Sequence, residues 1–297
     1  MSDEKYSRRG FLRLGIKAAV AASAATAVSG CGFLRNHEHA IIDPHPSWTN
    51  SFSTSGLAEQ APERREIRVV SYNCHNWTGR DGRPDAYRIA DVLAPLKPDV
   101  LALQEVTRGV EADTREPYAH IVARRLGLDL VEDPRQYDGR FLNHRNNTLM
   151  SRFPVQNLRL YELGVPGRRQ RGAFDAELNV HGKRVRVVNT HFGLNKWERR
   201  EQATRLLNNV LSRPRQHACV VMGDFNIWWG GSSNLALLER YLGPSIGPST
   251  FPAHMPTLQL DRIFAVPNVS IARLHVHKSS VAREASDHLP IWADIRV

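Results

Sequence analysis

Near the end of the chain, Ser286-Asp287-His288-Leu289-Pro290 sets a carboxylate beside an imidazole. Alone the triplet means little, because acid–histidine pairs arise by chance. Here it closes an ordered series: Tyr72-Asn73, Gln104-Glu105, Asn189-Thr190-His191, Gly223-Asp224-Phe225-Asn226 and Leu260-Asp261-Arg262-Ile263-Phe264. Each cluster ends a short apolar run, which reads as a polar tip on a buried strand. Carboxylates, amides and histidines delivered in this way suit a hard cation and a phosphate. Taken singly, Gly-Asp-Phe-Asn is ordinary turn chemistry. The signal lies in the number and order of the clusters.

Such tips need elements that bring them to one place. Residues 67–73 read as a strand, followed by a helix with Ile89, Val92, Leu93 and Leu96 on one face and its end near Pro98. Residues 99–104 are the next strand. Residues 174–180 and 184–190 read as a hairpin turned by His181-Gly182-Lys183. Residues 197–212 carry Ala203, Leu206, Leu207, Val210 and Leu211 at helical spacing. Residues 218–222 form a buried strand that ends at Gly223, where the missing Cβ lets the backbone turn tightly. Helices and hairpins alternating with strand tips give an α/β fold.

Before this region lies a leader. Ser7-Arg8-Arg9-Gly10-Phe11-Leu12-Arg13 and an Ala-rich stretch to Val28 resemble a twin-arginine export signal. The stretch is interrupted by Lys17 and is too short for a comfortable membrane span. Val28-Ser29-Gly30-Cys31 resembles a lipobox, with Cys31 the lipidated residue; Gly32 after it favours the outer membrane. Residues 1–30 thus read as signal peptide. Residues 31–65, with Pro44, Pro46, Pro62 and no periodicity, read as a flexible tether, and 66–297 as one domain. Loss of the leader removes five basic and two acidic side chains and takes the net charge from +10 to about +7. That excess suits an anionic partner, nucleic acid or a phospholipid headgroup, although a solvated basic surface would look the same. Cys74 and Cys219, both in apolar strand-like segments, are expected to be free.

The six clusters, in this order, resemble the endonuclease/exonuclease/phosphatase superfamily over residues 66–297. The resemblance implies a four-layer α/β sandwich, two face-to-face mixed β-sheets flanked by helices. It implies a phosphoesterase with Mg2+ as cofactor and Mn2+ as a substitute. Glu105 matches the principal metal ligand, with Asn73 and Asp287 completing or surrounding the metal site. Asp224 and Asn226 match the pair that handles the attacking water and the phosphoryl group. His288 matches the histidine beside the scissile phosphate, and Asp261 its carboxylate partner. His191 matches a second histidine that donates to a phosphoryl oxygen; no carboxylate partner for it stands out in the sequence.

Some positions depart from the pattern. Asn146-Asn147-Thr148-Leu149-Met150-Ser151-Arg152 lacks the glycine that many relatives carry there, but Asn147 keeps a phosphate contact open. Arg145 and the basic loop Arg168-Arg169-Gln170-Arg171 are further candidates for substrate phosphates; the loop is equally readable as a solvated turn. Trp228-Trp229 are either substrate-facing aromatics, for a base or a lipid surface, or core. The expected protein is a monomeric phosphodiesterase of nucleic acid or phospholipid, exported to the periplasm or anchored to the outer membrane through Cys31. Phosphomonoester hydrolysis of sugar or inositol phosphates is the alternative within the class. A non-catalytic binder on the same fold would have lost Glu105, Asp224, Asp261 or His288, and all four are present.

Overall fold

Strand β1 (Glu66–Asn73) is buried almost throughout, the mark of a strand covered on both faces. It pairs in parallel with β2 (Val100–Gln104) and antiparallel with β11 (Ile291–Arg296). With β3 (Asp129–Val131), β4 (Asn147–Ser151) and β10 (Ser270–Val276) it forms a mixed sheet of order β10-β11-β1-β2-β4-β3. A second mixed sheet has the order β5-β6-β7-β8-β9, built from β5 (Val155–Glu162), β6 (Gly172–Val180), β7 (Lys183–His191), β8 (Ala218–Asp224) and β9 (Asp261–Val266). These elements come from a computed structural model that describes residues 66–131, 147–212, 218–245, 247–266 and 269–297. The expected signal peptide and tether, with Cys31, and Arg145 lie outside the described residues.

The two sheets stack over a core that includes Val69, Val100, Ala102, Phe174, Val187, Val220, Met222 and Ile263. On the outer side of the first sheet, Val70, Tyr72, Leu101 and Leu103 pack on α1 (Ala86–Leu93), α2 (Tyr118–Leu126) and α5 (Ser280–Ala285). On the outer side of the second, Val188, Val221 and Phe264 pack on α3 (Lys196–Leu211) and α4 (Ser233–Leu242). Helix, sheet, sheet, helix is the expected four-layer sandwich. One polar tie crosses its centre: Gln104 Nε2 donates to Asn189 Oδ1 at 2.8 Å, and Asn189 Nδ2 donates to the carbonyls of Leu103 and Thr148. Buried amides need partners, and this one finds them in the opposite sheet.

Local chemistry explains most boundaries. Asp85, Asn195, Ser232 and Ser279 cap α1, α3, α4 and α5, each accepting a backbone N–H of the first turn. The hairpin turns on His181 and Gly182, both at positive φ, as a two-residue loop of this twist requires. Helix α1 stops at Leu93, short of the expected end near Pro98: Pro95 removes an N–H, and a 3-10 turn, Ala94–Leu96, follows. Cys74 sits just past β1 and not inside it; it and Cys219 are both buried.

Candidate active site

The register of the sheets gathers the motif residues at one edge. Asn73 lies beside Gln104 across the parallel pair β1–β2, and Gln104 lies beside Asn147 on β4. In the second sheet His191 lies beside Asp224, and Asp224 beside Asp261. The tips are therefore not all strand ends, as the apolar runs implied. Asp261 opens β9, and Asp287-His288 lie in the loop between α5 and β11. Antiparallel pairing is the reason: the start of β9 meets the end of β8, so opposite chain directions deliver to the same edge.

Around that edge the side chains form one network. His288 Nδ1 bonds Asp261 Oδ2 at 2.8 Å, and the Thr250 hydroxyl donates to the same oxygen. An acceptor on that side fixes the proton on Nδ1 and leaves Nε2 as the basic end. Nε2 faces Asp224 Oδ2 at 3.7 Å. Asp261 is fully buried; that burial raises its pKa, opposed by the attraction of His288. Asp224 Oδ1 accepts the backbone N–H of Asn226, whose own amide donates to the Phe192 carbonyl. Asn226 holds φ 51, a conformation asparagine tolerates better than most residues.

Asn73 joins the sheets at the site: its Nδ2 donates to Glu105 Oε1 at 3.1 Å and to Asp224 Oδ2 at 3.0 Å. Its Oδ1 accepts the His75 N–H, which orients the amide. Glu105 has φ 56, and His75, Asn76 and Trp77 follow one another at positive φ, so the backbone around the principal carboxylate is held in a costly shape. Asn76 Nδ2 adds a long 3.4 Å contact to Glu105 Oε2. His191 presents Nε2 to Asp224 at 3.4 Å and to Glu105 at 3.8 Å. Behind it, Arg171 Nη1 donates to Nδ1 at 3.0 Å.

The donor set fits a hard cation. Asp224, Asp261 and His288 offer three ligand atoms within 4.8 Å of one another, and the His288–Asp261 bond engages Nδ1 and Oδ2 of two of these residues. Glu105 and Asp287 are better placed, with side chains 15% and 28% exposed, so their oxygens reach solvent. Buried Asn226 Oδ1 and Asp261 Oδ1 meet no hydrogen-bond donor among the described residues. Carboxylates crowded at one edge and buried acceptors short of donors are relieved by a divalent cation and the waters it carries.

The remaining candidates separate. Asn147 donates to the Gly172 carbonyl at 2.9 Å, so its nitrogen braces the chain beside Arg171. The basic loop splits: Arg171 is buried, Arg168 stacks over Trp197 at 5.6 Å, and Arg169 is exposed. Trp229 is 66% exposed and Trp228 half-buried, so the pair is not core. Three contributors escaped the sequence reading. Thr250 holds Asp261. Ser286 donates to the Asn73 carbonyl at 2.7 Å and accepts from the His288 N–H. His75 Nε2 lies 4.0 Å from Asp287. Ser286 stood inside a quoted motif, but a serine's partner is set by the fold.

Residues 70–288 match the model of the Endonuclease/Exonuclease/phosphatase family, and the chain belongs to that family. Its members are hydrolases of phosphoester bonds. YbhP, an uncharacterised protein of Escherichia coli strain K12, is 30% identical over 245 residues, which are 78% of this chain and 96% of that protein. Among solved structures, the mannosyl-6-phosphatase Bt3783 of Bacteroides thetaiotaomicron superposes with TM-score 0.63 at 20% identity, over 77% of this chain and 99% of that one. The D. rerio TDP2 complex with a single-strand DNA product gives 0.58 at 18% identity, over 78% and 99%. At such identities both speak for the fold.

Proposed function

We propose that the chain is a divalent-metal-dependent phosphodiesterase, exported and held at a membrane by a lipid on Cys31. The observation that carries the reading is the His288 ring, fixed by Asp261, with its basic Nε2 turned to Asp224 beside the solvent-reaching Glu105. Phosphodiesters resist hydrolysis because their oxygens repel a nucleophile, so an aligned water and a place for its proton are both needed. His288 Nε2 and Asp224 are the two bases in reach of a water between them. Asn226 holds the Asp224 carboxylate in place, and the His191 ring faces the same point from the other side. Glu105 and Asp287, with Asn73 as brace, would hold Mg2+ or Mn2+, which neutralises charge on the phosphoryl oxygens and the leaving alkoxide.

Proteins on this fold include one with a bound single-strand DNA product and a mannosyl-6-phosphatase. The test is the full chain offered plasmid DNA, RNA, anionic phospholipid vesicles and mannose 6-phosphate with Mg2+, against EDTA and His288→Ala controls. Metal-dependent nicking or headgroup release, lost in the variant, supports the diesterase and names its substrate. Release of phosphate from the sugar alone moves the protein to the monoesterases. No product in any arm defeats the catalytic reading.

A further inference from the structure

The two imidazoles that flank Asp224 are backed by groups of opposite kind. His288 has a carboxylate behind it, and its Nδ1 therefore carries the proton. Behind His191 stands Arg171, buried at 8% exposure, with Nη1 3.0 Å from Nδ1. A guanidinium has donors only and does not give up its proton. In this contact Nδ1 must therefore be the acceptor, and the ring's hydrogen sits on Nε2. That atom points at Asp224 and Glu105, 3.4 and 3.8 Å away.

We infer that Arg171 is a positioning residue that locks His191 in the Nε2–H tautomer, making it a fixed hydrogen-bond donor to a phosphoryl oxygen. The site then holds two histidines in complementary forms. His288 turns a lone pair toward the reacting centre, and His191 turns an N–H. Arg171 acts through the ring. Its positive charge behind Nδ1 polarises the imidazole and strengthens the Nε2–H bond.

The surrounding backbone is built to hold that contact. The Arg171 carbonyl accepts the Leu163 N–H at 2.9 Å. The next carbonyl, of Gly172, takes both the Asn147 amide and the Thr190 hydroxyl, at 2.9 and 3.2 Å. Thr190 directly precedes His191, so donor and ring are pinned to the same corner of β6 and β7. Arginine at the end of a basic loop had suggested a direct phosphate contact. Its burial and its bond to Nδ1 assign it to the ring instead.

The role assigned to His191 rests on the proposed phosphoesterase, but the tautomer is read without substrate. In the 15N-labelled full chain, long-range 1H–15N spectra report which ring nitrogen bears hydrogen, with the His191 signals identified by their absence in His191→Phe. The expected pattern is Nε2–H for His191 and Nδ1–H for His288. Hydrogen on Nδ1 of His191 in the unsubstituted protein overturns the inference, and that result does not depend on any variant folding. Arg171→Lys, still a cationic donor, should keep the Nε2–H form and most of the turnover. Arg171→Met, with no donor, should mix the tautomers and lower kcat by up to roughly 10²-fold with KM little changed. An unmixed ring with unchanged kcat in Arg171→Met would equally sink it. Hydrolysis of bis(p-nitrophenyl) phosphate with Mg2+ supplies these kinetics. Failure of the unsubstituted protein to cleave any phosphoester would count against the proposed reaction, whereas an Nδ1–H ring counts against Arg171.

Discussion

His288 differs from His191 in having an acid at its back, and that makes it the residue whose removal should cost most. Its ring is fully buried, bonded to Asp261 and packed against Phe251 at 5.0 Å between ring centres. His288→Ala should lower kcat by roughly 10²–10⁴-fold, the usual worth of a positioned acid or base. Turnover within a few-fold of the parent, measured on whichever substrate that test identifies, would take the proton elsewhere. Thr250 and Ser286 serve the same ring from outside it, one by holding its acid and one by holding its backbone N–H.

At the scale of elements, the close approach of β7 and β8 is the tightest constraint. Gly223, expected to turn the chain at a strand end, lies within β8 at φ 148. A Cβ there would fall on the Thr190 carbonyl, so the glycine is needed for strand contact beside Asp224 and His191. Gly223→Ala should destabilise the fold by about 1–3 kcal/mol in urea unfolding; an unchanged midpoint would show that the two strands can separate at no cost. Far from the site, Arg68 on β1 bonds Asp294 on β11 at 2.7 Å, and Arg273 on β10 reaches the same carboxylate. The Arg68 hydrogen bond is the main cause holding the Asp294 pKa below its ordinary value. The unfolded chain therefore takes up this proton at higher pH than the native one. The stabilisation is full above the ordinary carboxylate range and is lost as pH falls through the depressed folded value. Asp294→Asn should lower the urea midpoint near neutral pH and match the parent in strong acid. A difference constant with pH would rule out the charge as its source.

For the whole molecule, the acidic edge is a site of linkage. A cation that binds the folded edge and not the unfolded chain stabilises it by about 2.7 kcal/mol at a hundred times its dissociation constant. For a domain of this size that is roughly 5–10 °C in Tm. Mg2+ should produce a saturable rise that EDTA reverses, and Glu105→Gln should shift it to higher concentration. An identical curve for the variant would remove Glu105 from the metal site. The proposed lipid anchor is tested separately. Cys31→Ser should move the exported protein from the membrane pellet to the soluble fraction, with hydrolysis per molecule unchanged; equal membrane retention would discard the lipid.

The sequence alone determined the order of the clusters, the strands that lead into Asn73, Glu105, His191 and Asp224, and the helices α1 and α3, because apolar periodicity acts within a few residues of chain. It also carried the family, since Glu105, Asp224, Asp261 and His288 are each written in a short motif. What it left open were contacts between residues far apart in the chain. Asp261 opens β9 and His288 precedes β11, so only antiparallel pairing brings them level with Asn73 and Asp224. Gln104 and Asn189 look like two more polar tips until the stacking of two sheets makes them one tie. His191, for which no carboxylate partner stands out in the sequence, has an arginine behind it, brought there because β6 begins where β7 ends. Sequence spacing tells which residues share a strand. Which side chains share a proton is decided by strand pairing and by the packing of one sheet on the other.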